Sequence, residues 1–191
     1  MKIGIIGGGV WGSALAKLLS ENSKVMIYGR DKKIIKSINE HHFNPKLKYA
    51  IFNNNVNATN EIDALADSDY IFLALPSQNI REVMLSFKPV KASQEIIIAS
   101  KGIEINSMLL LSDVVKEVLD CENVSILSGP CFSDEVAQNL PTAVTFASKN
   151  KKLFNKISSL FGNKNFRIYF SDDIIGCQIG GALKNIYAIG A

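Results

Sequence analysis

The sequence lacks the features that mark many specialised surfaces. It has no long uninterrupted block of basic residues, and its net charge of +3 is spread along the chain. A nucleic-acid surface needs a clustered positive field, so nucleic acid is not the expected partner, while a ligand carrying phosphate stays compatible. Cysteine is scarce. Cys121, Cys131 and Cys177 have no metal-ligand spacing, and being three they cannot all pair. No metal is expected, and free thiols in a reducing compartment, hence a cytoplasmic setting, are the simplest reading. Nor does any stretch read as a membrane anchor. The opening MKIGIIGGGVWGSALAKLLS has one lysine and then an apolar run, but glycines interrupt it and no clear small-residue cleavage site precedes the polar SENSK. The apolar segment from Ile174 to Ala191 carries Gln178, Lys184 and Asn185, which oppose membrane insertion.

What is present is an alternation. With 191 residues, 47% of them hydrophobic, the chain can form one full domain with a large core. Short apolar runs predict strands at Lys2–Ile6, Lys24–Tyr28, Val56–Thr59, Tyr70–Leu75, Glu95–Ala99, Val124–Leu127, Thr142–Ala147 and Arg167–Phe170. Amphipathic segments lie between them. In one, Ser77 to Phe87, Ser77 is placed to cap and Ile80, Val83, Met84 and Phe87 follow a helical spacing. Near-continuous apolar strands joined by helices indicate an α/β fold: a Rossmann-like, doubly wound, mostly parallel sheet covered on both faces. The polar stretch NPKLKYAIFNNNVN reads as a surface loop before the third strand.

The final segment differs. Ser171-Asp172-Asp173 resembles a helix start, and the following residues run on without a C-capping glycine and turn, a basic last turn or a proline. A helix apolar on nearly every side expects burial. The expectation is therefore a dinucleotide-binding domain over residues 1–170 and, over 171–191, the first helix of an all-α domain whose remainder is absent. A short C-terminal helix docked on the sheet is the alternative.

After the first strand comes Gly7-Gly8-Gly9-Val10-Trp11-Gly12, a G-x-G-x-x-G with Gly7, Gly9 and Gly12 in register. In such a loop the first glycine permits the tight turn, the second lets a pyrophosphate approach the backbone, and the third allows close helix–strand packing. The strand before it and the amphipathic helix after it (Ala14, Leu15, Leu18, Leu19) are the context that gives the pattern meaning. The second strand ends in Gly29-Arg30-Asp31, with glycine where an NAD-selective site usually has an acid. Arg30 there suits a 2′-phosphate and tilts the balance towards NADP(H), or dual use with NAD. The alternative has Arg30 as a solvated charge and Asp31 as an N-cap.

Ligands of an open parallel sheet bind outside the carboxyl ends of its strands. Here those ends carry Pro76-Ser77-Gln78, Ser100-Lys101-Gly102 and Ser128-Gly129-Pro130-Cys131-Phe132, so one cation, Lys101, converges on one edge with small and turn-forming residues. A second constellation, Lys184-Asn185, sits in the glycine-rich final helix (Gly176, Gly180, Gly181). Close packing there would desolvate the lysine and favour a role in proton transfer.

Together these residues resemble the NAD(P)-dependent glycerol-3-phosphate dehydrogenase family of the bacterial type. The similarity runs in order through GGGVWGSALA, LALPSQNIREV, IASKGIE, LSGPCFSDEVAQNLPTAV and GCQIGGALKNIYAIGA, across essentially the whole chain. The resemblance implies hydride transfer between a nicotinamide cofactor, NADP or NAD, and a small phosphorylated substrate. That substrate would be sn-glycerol 3-phosphate or dihydroxyacetone phosphate, in service of phospholipid synthesis. It implies Lys184 as general acid/base and Lys101 between cofactor and substrate. Gly7, Gly9, Val10, Trp11, Gly12, Arg30 and Ser133 would contact the cofactor, and Gly129, Cys131 and Asn185 the substrate. It also implies a homodimer of the complete protein. Cys131 stands where the family usually has Ser or Thr, Ser133 where it has Ala, Val10 often in place of Ser or Ala, and Leu47-Lys48-Tyr49 in place of Tyr-Leu-Pro. Family members continue into a helical domain with an aspartate and an Arg-Asn pair, so the 191 residues alone are expected to bind cofactor with little turnover. A related hydroxy-acid dehydrogenase and a non-catalytic dinucleotide-binding module are the rival readings.

Overall fold

In the computed structural model, residues 1–88 and 94–190 are described, without the side chain of Asn185. Eight strands form one sheet in the order β3-β2-β1-β4-β5-β6-β7-β8. They are β1 (Lys2–Ile6), β2 (Lys24–Tyr28), β3 (Val56–Thr59), β4 (Tyr70–Leu73), β5 (Glu95–Ile98), β6 (Val124–Ser128), β7 (Thr142–Ala147) and β8 (Phe166–Ser171). The helices are α1 (Val10–Leu19), α2 (Lys32–His41), α3 (Ile80–Ser86), α4 (Leu111–Leu119), α5 (Ser133–Ala137), α6 (Lys151–Phe161) and α7 (Ile174–Gly190). β1 to β6 are parallel, and the chain order reverses between β1 and β4, which lie side by side.

The strands read as continuous apolar runs because both faces are covered. Ile3, Ile5, Phe72 and Ile97 point into one core with residues of α1, α2, α5 and α6. Ile6, Ile71, Leu73, Ile96 and Ile98 point into the other, against α3 and α4. Successive side chains of a strand face opposite sides, so a doubly covered strand leaves few positions for a polar residue; Ser125 of β6 and Glu95 of β5 are buried and bond each other.

Two features depart from the sequence reading at the local level. Ser77 makes no capping bond; residues Ser77–Asn79 form a single tight turn and α3 starts at Ile80. The Ser77 hydroxyl instead accepts from Gln78 Nε2 at 3.1 Å. The segment 43–55 is also less of a surface loop than its polarity suggests. Phe43 and Ile51 pair in an antiparallel bridge, and Asn44, Leu47, Ala50 and Phe52 are all buried. Lys17 of α1 fastens it by donating to the Tyr49 carbonyl at 2.8 Å and to that of Ala137, on α5, at 2.6 Å.

β7 runs antiparallel to β6, and β8 is parallel to β7. The link from β6 to β7 contains only the five-residue α5, and a parallel return needs a longer crossover, usually a full helix. The eleven-residue α6 supplies one between β7 and β8. Because β8 runs away from the edge where β1 to β6 end, α7 travels back towards that edge, packing on β6 and β7. Gln178 docks it: its Oε1 accepts from Ser112 N at 3.0 Å, capping α4, and its Nε2 donates to Ser112 Oγ at 2.9 Å. The expected burial of α7 holds on this side only. Ile175, Ile179, Ile186, Tyr187 and Ile189 are exposed.

Phe161 of α6 sets the first core's density. Its ring meets Phe72 edge-on at 6.1 Å and stacks on Phe166 at 5.0 Å. Removing a fully buried aromatic leaves a cavity that the neighbours only partly fill, so Phe161→Ala should cost about 3–5 kcal/mol. Urea unfolding followed by circular dichroism checks this; a midpoint unchanged from wild type would contradict the packing described.

Candidate active site at the carboxyl edge of the sheet

The glycine loop forms because its first and last glycines touch. Gly7 has φ +130°, in the region L-residues avoid, and its N–H donates to the Tyr28 carbonyl at 2.9 Å. A Cβ on Gly12 would stand 1.9 Å from the Gly7 carbonyl oxygen, so no other residue lets α1 start so close to the strand end. Around Gly9, by contrast, an added Cβ would meet nothing within 4 Å. The open side of the loop thus faces free space at the N-terminus of α1, whose first turn holds no acid to oppose an anion. Gly7, Gly9, Arg30, Asp31 and Lys46 line a cavity of about 320 Å³ there, together with the residues that follow β4.

Both expectations for the end of β2 have a counterpart. Asp31 caps α2, accepting from Lys33 N at 3.0 Å and Ile34 N at 3.4 Å. Arg30 is exposed on the cavity rim, and Lys46 enters the same rim with its Nζ 3.7 Å from the Asp31 carboxylate. Val10 is exposed at the first turn of α1. Trp11 is half-buried, and its indole N–H donates to the Ala99 carbonyl at 3.0 Å. Trp11 therefore ties the glycine loop's helix to the end of β5, two residues before Lys101.

Lys101 and Lys184 come together around the turn after β6. Lys101 Nζ donates to the Gly129 carbonyl at 2.8 Å, and the same oxygen accepts from Cys131 Sγ at 3.6 Å. Lys184 Nζ lies 4.4 Å above the ring of Phe132. α7 can approach this closely because position 181 is glycine: a Cβ there would be 2.7 Å from Ser128 Oγ and 3.6 Å from Lys101 Cγ. Gly129 and Lys184 line a groove of about 380 Å³ between α7 and the β6–β7 edge. Lys184 is half-buried at this rim, not enclosed as the apolar helix around it suggested. Ser133 is half-buried at the start of α5, and the Asn185 side chain falls outside the described residues.

The Lys101 loop is held from behind by residues that the sequence reading left unassigned. Gln78 Nε2 donates to the Ile103 carbonyl at 2.8 Å, and its Oε1 accepts from Ile105 N at 2.9 Å. Arg81 makes a two-pronged contact with Glu104, Nε to Oε1 at 3.0 Å and Nη2 to Oε2 at 3.0 Å, and reaches Glu117 as well. Arg81 and Ser107 hold the Glu104 carboxyl below the usual carboxylate range. The acid that closes the IASKGIE segment is thus an anchor for the loop carrying Lys101. Its pairing with an arginine 23 residues away carries no local signal.

Burial lowers the pKa of Lys101, with Lys184 adding to the effect and Cys131 opposing it. Burial also raises the Cys131 thiol, against the pull of Lys101 and Lys184. A cation favours the thiolate, so Lys101→Met should raise the Cys131 pKa further. The pH dependence of Cys131 alkylation, followed by peptide mass spectrometry, should give a midpoint above about 8.5, the ordinary thiol value. It should be higher still in Lys101→Met; a lower midpoint in the variant would contradict the geometry.

Residues 2–154 match the family model described as NAD-dependent glycerol-3-phosphate dehydrogenase N-terminus. A glycerol-3-phosphate dehydrogenase [NAD(P)+] of Neorickettsia sennetsu is 42% identical over 188 residues, covering 97% of this chain and 56% of the relative. The crystal structure of glycerol-3-phosphate dehydrogenase from Coxiella burnetii superposes with a TM-score of 0.91 at 33% identity, over 98% of this chain and 59% of that one. The structure of glycerol-3-phosphate dehydrogenase from Saccharomyces cerevisiae gives 0.85 at 27% identity, over 100% of this chain and 62% of that one. The chain therefore spans little more than half the length of these relatives. NAD or NADP, expected from the glycine loop, is also the cofactor in the family's description and its members' names. With this sheet order, this glycine loop and a family model covering most of its length, the chain belongs to the NAD-dependent glycerol-3-phosphate dehydrogenase family, of which it carries the N-terminal part.

Proposed function

We propose that this chain binds NADP(H) or NAD(H) at the glycine loop. The complete protein would interconvert sn-glycerol 3-phosphate and dihydroxyacetone phosphate, supplying glycerophospholipid synthesis. The observation that carries the reading is the meeting of Lys101 and Lys184 at the Gly129–Phe132 turn, on the edge where the loop opens. The residues present fit a dinucleotide: the space beside Gly9 and the uncompensated start of α1 suit a pyrophosphate. Val10, Trp11, Gly12 and Ser133 belong to the cofactor side of this reading, and Cys131 and Asn185 to the substrate side.

Bound there, the nicotinamide supplies or takes up a hydride. Lys101, held by the Gly129 carbonyl, offers a cation to the negative charge that develops on the substrate's C2 oxygen. Lys184 holds the proton that this oxygen gains on reduction and releases on oxidation. On the other side of the loop, Arg30 and Lys46 put two cations on the rim beside one carboxylate, Asp31, which supports NADP(H) over NAD(H).

The same reading assigns residues 1–170 to a dinucleotide-binding domain and 171–191 to the start of a helical substrate domain. The end of β8 at Ser171 and the start of α7 at Ile174 support that division. It sets the protein in the cytoplasm, as a homodimer when complete, with a small phosphorylated molecule and no nucleic acid as its partner. Cys121, Cys131 and Cys177 are free thiols, in keeping with a reducing compartment, and among the described residues no helix is long and apolar enough to cross a membrane.

Separate titrations with NADPH and NADH test the cofactor assignment. Arg30→Ala should weaken NADPH about tenfold, the loss of one charge-assisted contact, and leave NADH nearly unchanged. An unchanged NADPH affinity removes Arg30 from the 2′-phosphate. In a protein of the relatives' full length, Lys184→Met should bind NADPH normally while dihydroxyacetone phosphate reduction falls roughly a hundredfold or more. Turnover surviving that substitution would sink the acid/base assignment.

A further inference from the structure

Asn44 is the most completely buried polar side chain of the 43–55 segment, with 0% exposure. Three of its four hydrogen-bonding directions are used, both N–H donors among them. Nδ2 donates to the Gly8 carbonyl at 3.2 Å and to Ser13 Oγ at 2.7 Å, while Oδ1 accepts from Lys46 N at 3.0 Å. Turned over, the amide would set oxygen against oxygen at Gly8, so the network fixes its orientation.

Gly8 lies at the centre of the glycine loop, and its carbonyl belongs to the same planar unit as the Gly9 N–H. In a trans peptide these two groups point in opposite directions. Drawing the Gly8 carbonyl inwards towards Asn44 therefore turns the Gly9 N–H away from Asn44, and a Cβ added at the same residue would meet nothing within 4 Å. Two neighbouring glycines otherwise leave this peptide unusually free to rotate. From this arrangement we propose that Asn44 is a positioning residue for the dinucleotide pyrophosphate: it locks the Gly8–Gly9 peptide with its N–H facing the ligand. It touches no ligand itself and acts only through that peptide. Through Lys46 N, the same side chain also fixes the backbone of a residue on the cofactor rim, so the two ends of the cavity are set together.

The proposal rests on the reading of the glycine loop as a dinucleotide site, and the test keeps the two apart. The 191-residue chain and its Asn44→Asp, Asn44→Ala and Asn53→Ala variants are titrated with NADPH, NADH and ADP-ribose, and with adenosine, which has no pyrophosphate. Asn44→Asp keeps the shape but replaces the donor by a carboxylate aimed at a carbonyl. Asn53 serves as the control, since it lies in the same segment and bonds the Ser20 carbonyl at 3.1 Å, away from the loop. Thermal unfolding ranks the variants by stability.

The expected result is a loss of roughly tenfold in affinity for the three pyrophosphate ligands in both Asn44 variants. Adenosine binding should be unchanged, and Asn53→Ala should bind all four ligands as wild type does even where its melting temperature falls. If wild type binds the dinucleotides and folded Asn44→Asp binds them equally well, the positioning role is overturned. Equal losses in Asn53→Ala, or an equal loss for adenosine, overturn it too, because the segment would then be merely structural. If wild type binds neither dinucleotide, the cofactor reading falls first and this inference with it.

Discussion

The contact between Gly12 and the Gly7 carbonyl is the constraint on which the site depends. It brings the start of α1 against the end of β1 with no side chain between them. The first turn of that helix, with its unpaired N–H groups, then opens directly onto the sheet edge. Trp11 rides on the same turn and fastens it to the end of β5. Asn44 fastens it from below, through Gly8. A methyl group at position 12 would move the helix, and both of these attachments with it.

A second dependence runs through the direction of the last strands. Had β7 and β8 continued parallel, α7 would have started at the edge where the ligand reading lies and run away from it. The reversal at β6 makes α7 return, and Gly181 then lets it close onto Ser128 and the stem of Lys101. Lys184 follows one turn later, over Phe132. Two lysines more than 80 residues apart become neighbours close enough that Lys184 helps to lower the pKa of Lys101. The exposed isoleucines of α7 show the other consequence: one side of this helix is committed to the sheet, and the remaining sides are bare.

Much of the fold was legible from the residues. All eight strands lie where short apolar runs predict them, because a strand buried on both faces must be largely apolar, as in YIFL and in EIII, whose single charged residue Glu95 accepts from Ser125 Oγ. Strand β4 ends two residues earlier than its hydrophobicity suggests, at Leu73. The reversal at β7 was not legible: alternation fixes which residues are strands, not which way a strand runs. Ser77 failed as a cap and Asn44 passed for a loop residue for a similar reason. A short polar side chain declares a capacity for hydrogen bonds, while its partner is chosen by residues distant in sequence.

The division between sequence and tertiary structure follows from the range of each interaction. By itself the sequence determined the strands, the helices between them, the glycine loop with its open helix start, and the positions of two lysines near strand ends and on the last helix. These depend on local pattern, on steric freedom at single residues and on side-chain identity. Only the tertiary structure decided that Lys101 and Lys184 share the Gly129–Phe132 turn, that Glu104 pairs with Arg81 behind the first of them, and that Asn44 bonds the glycine loop at Gly8. Those outcomes require chain segments tens of residues apart to meet at hydrogen-bonding distance, and that is set by how the sheet is ordered and which way its last strands run.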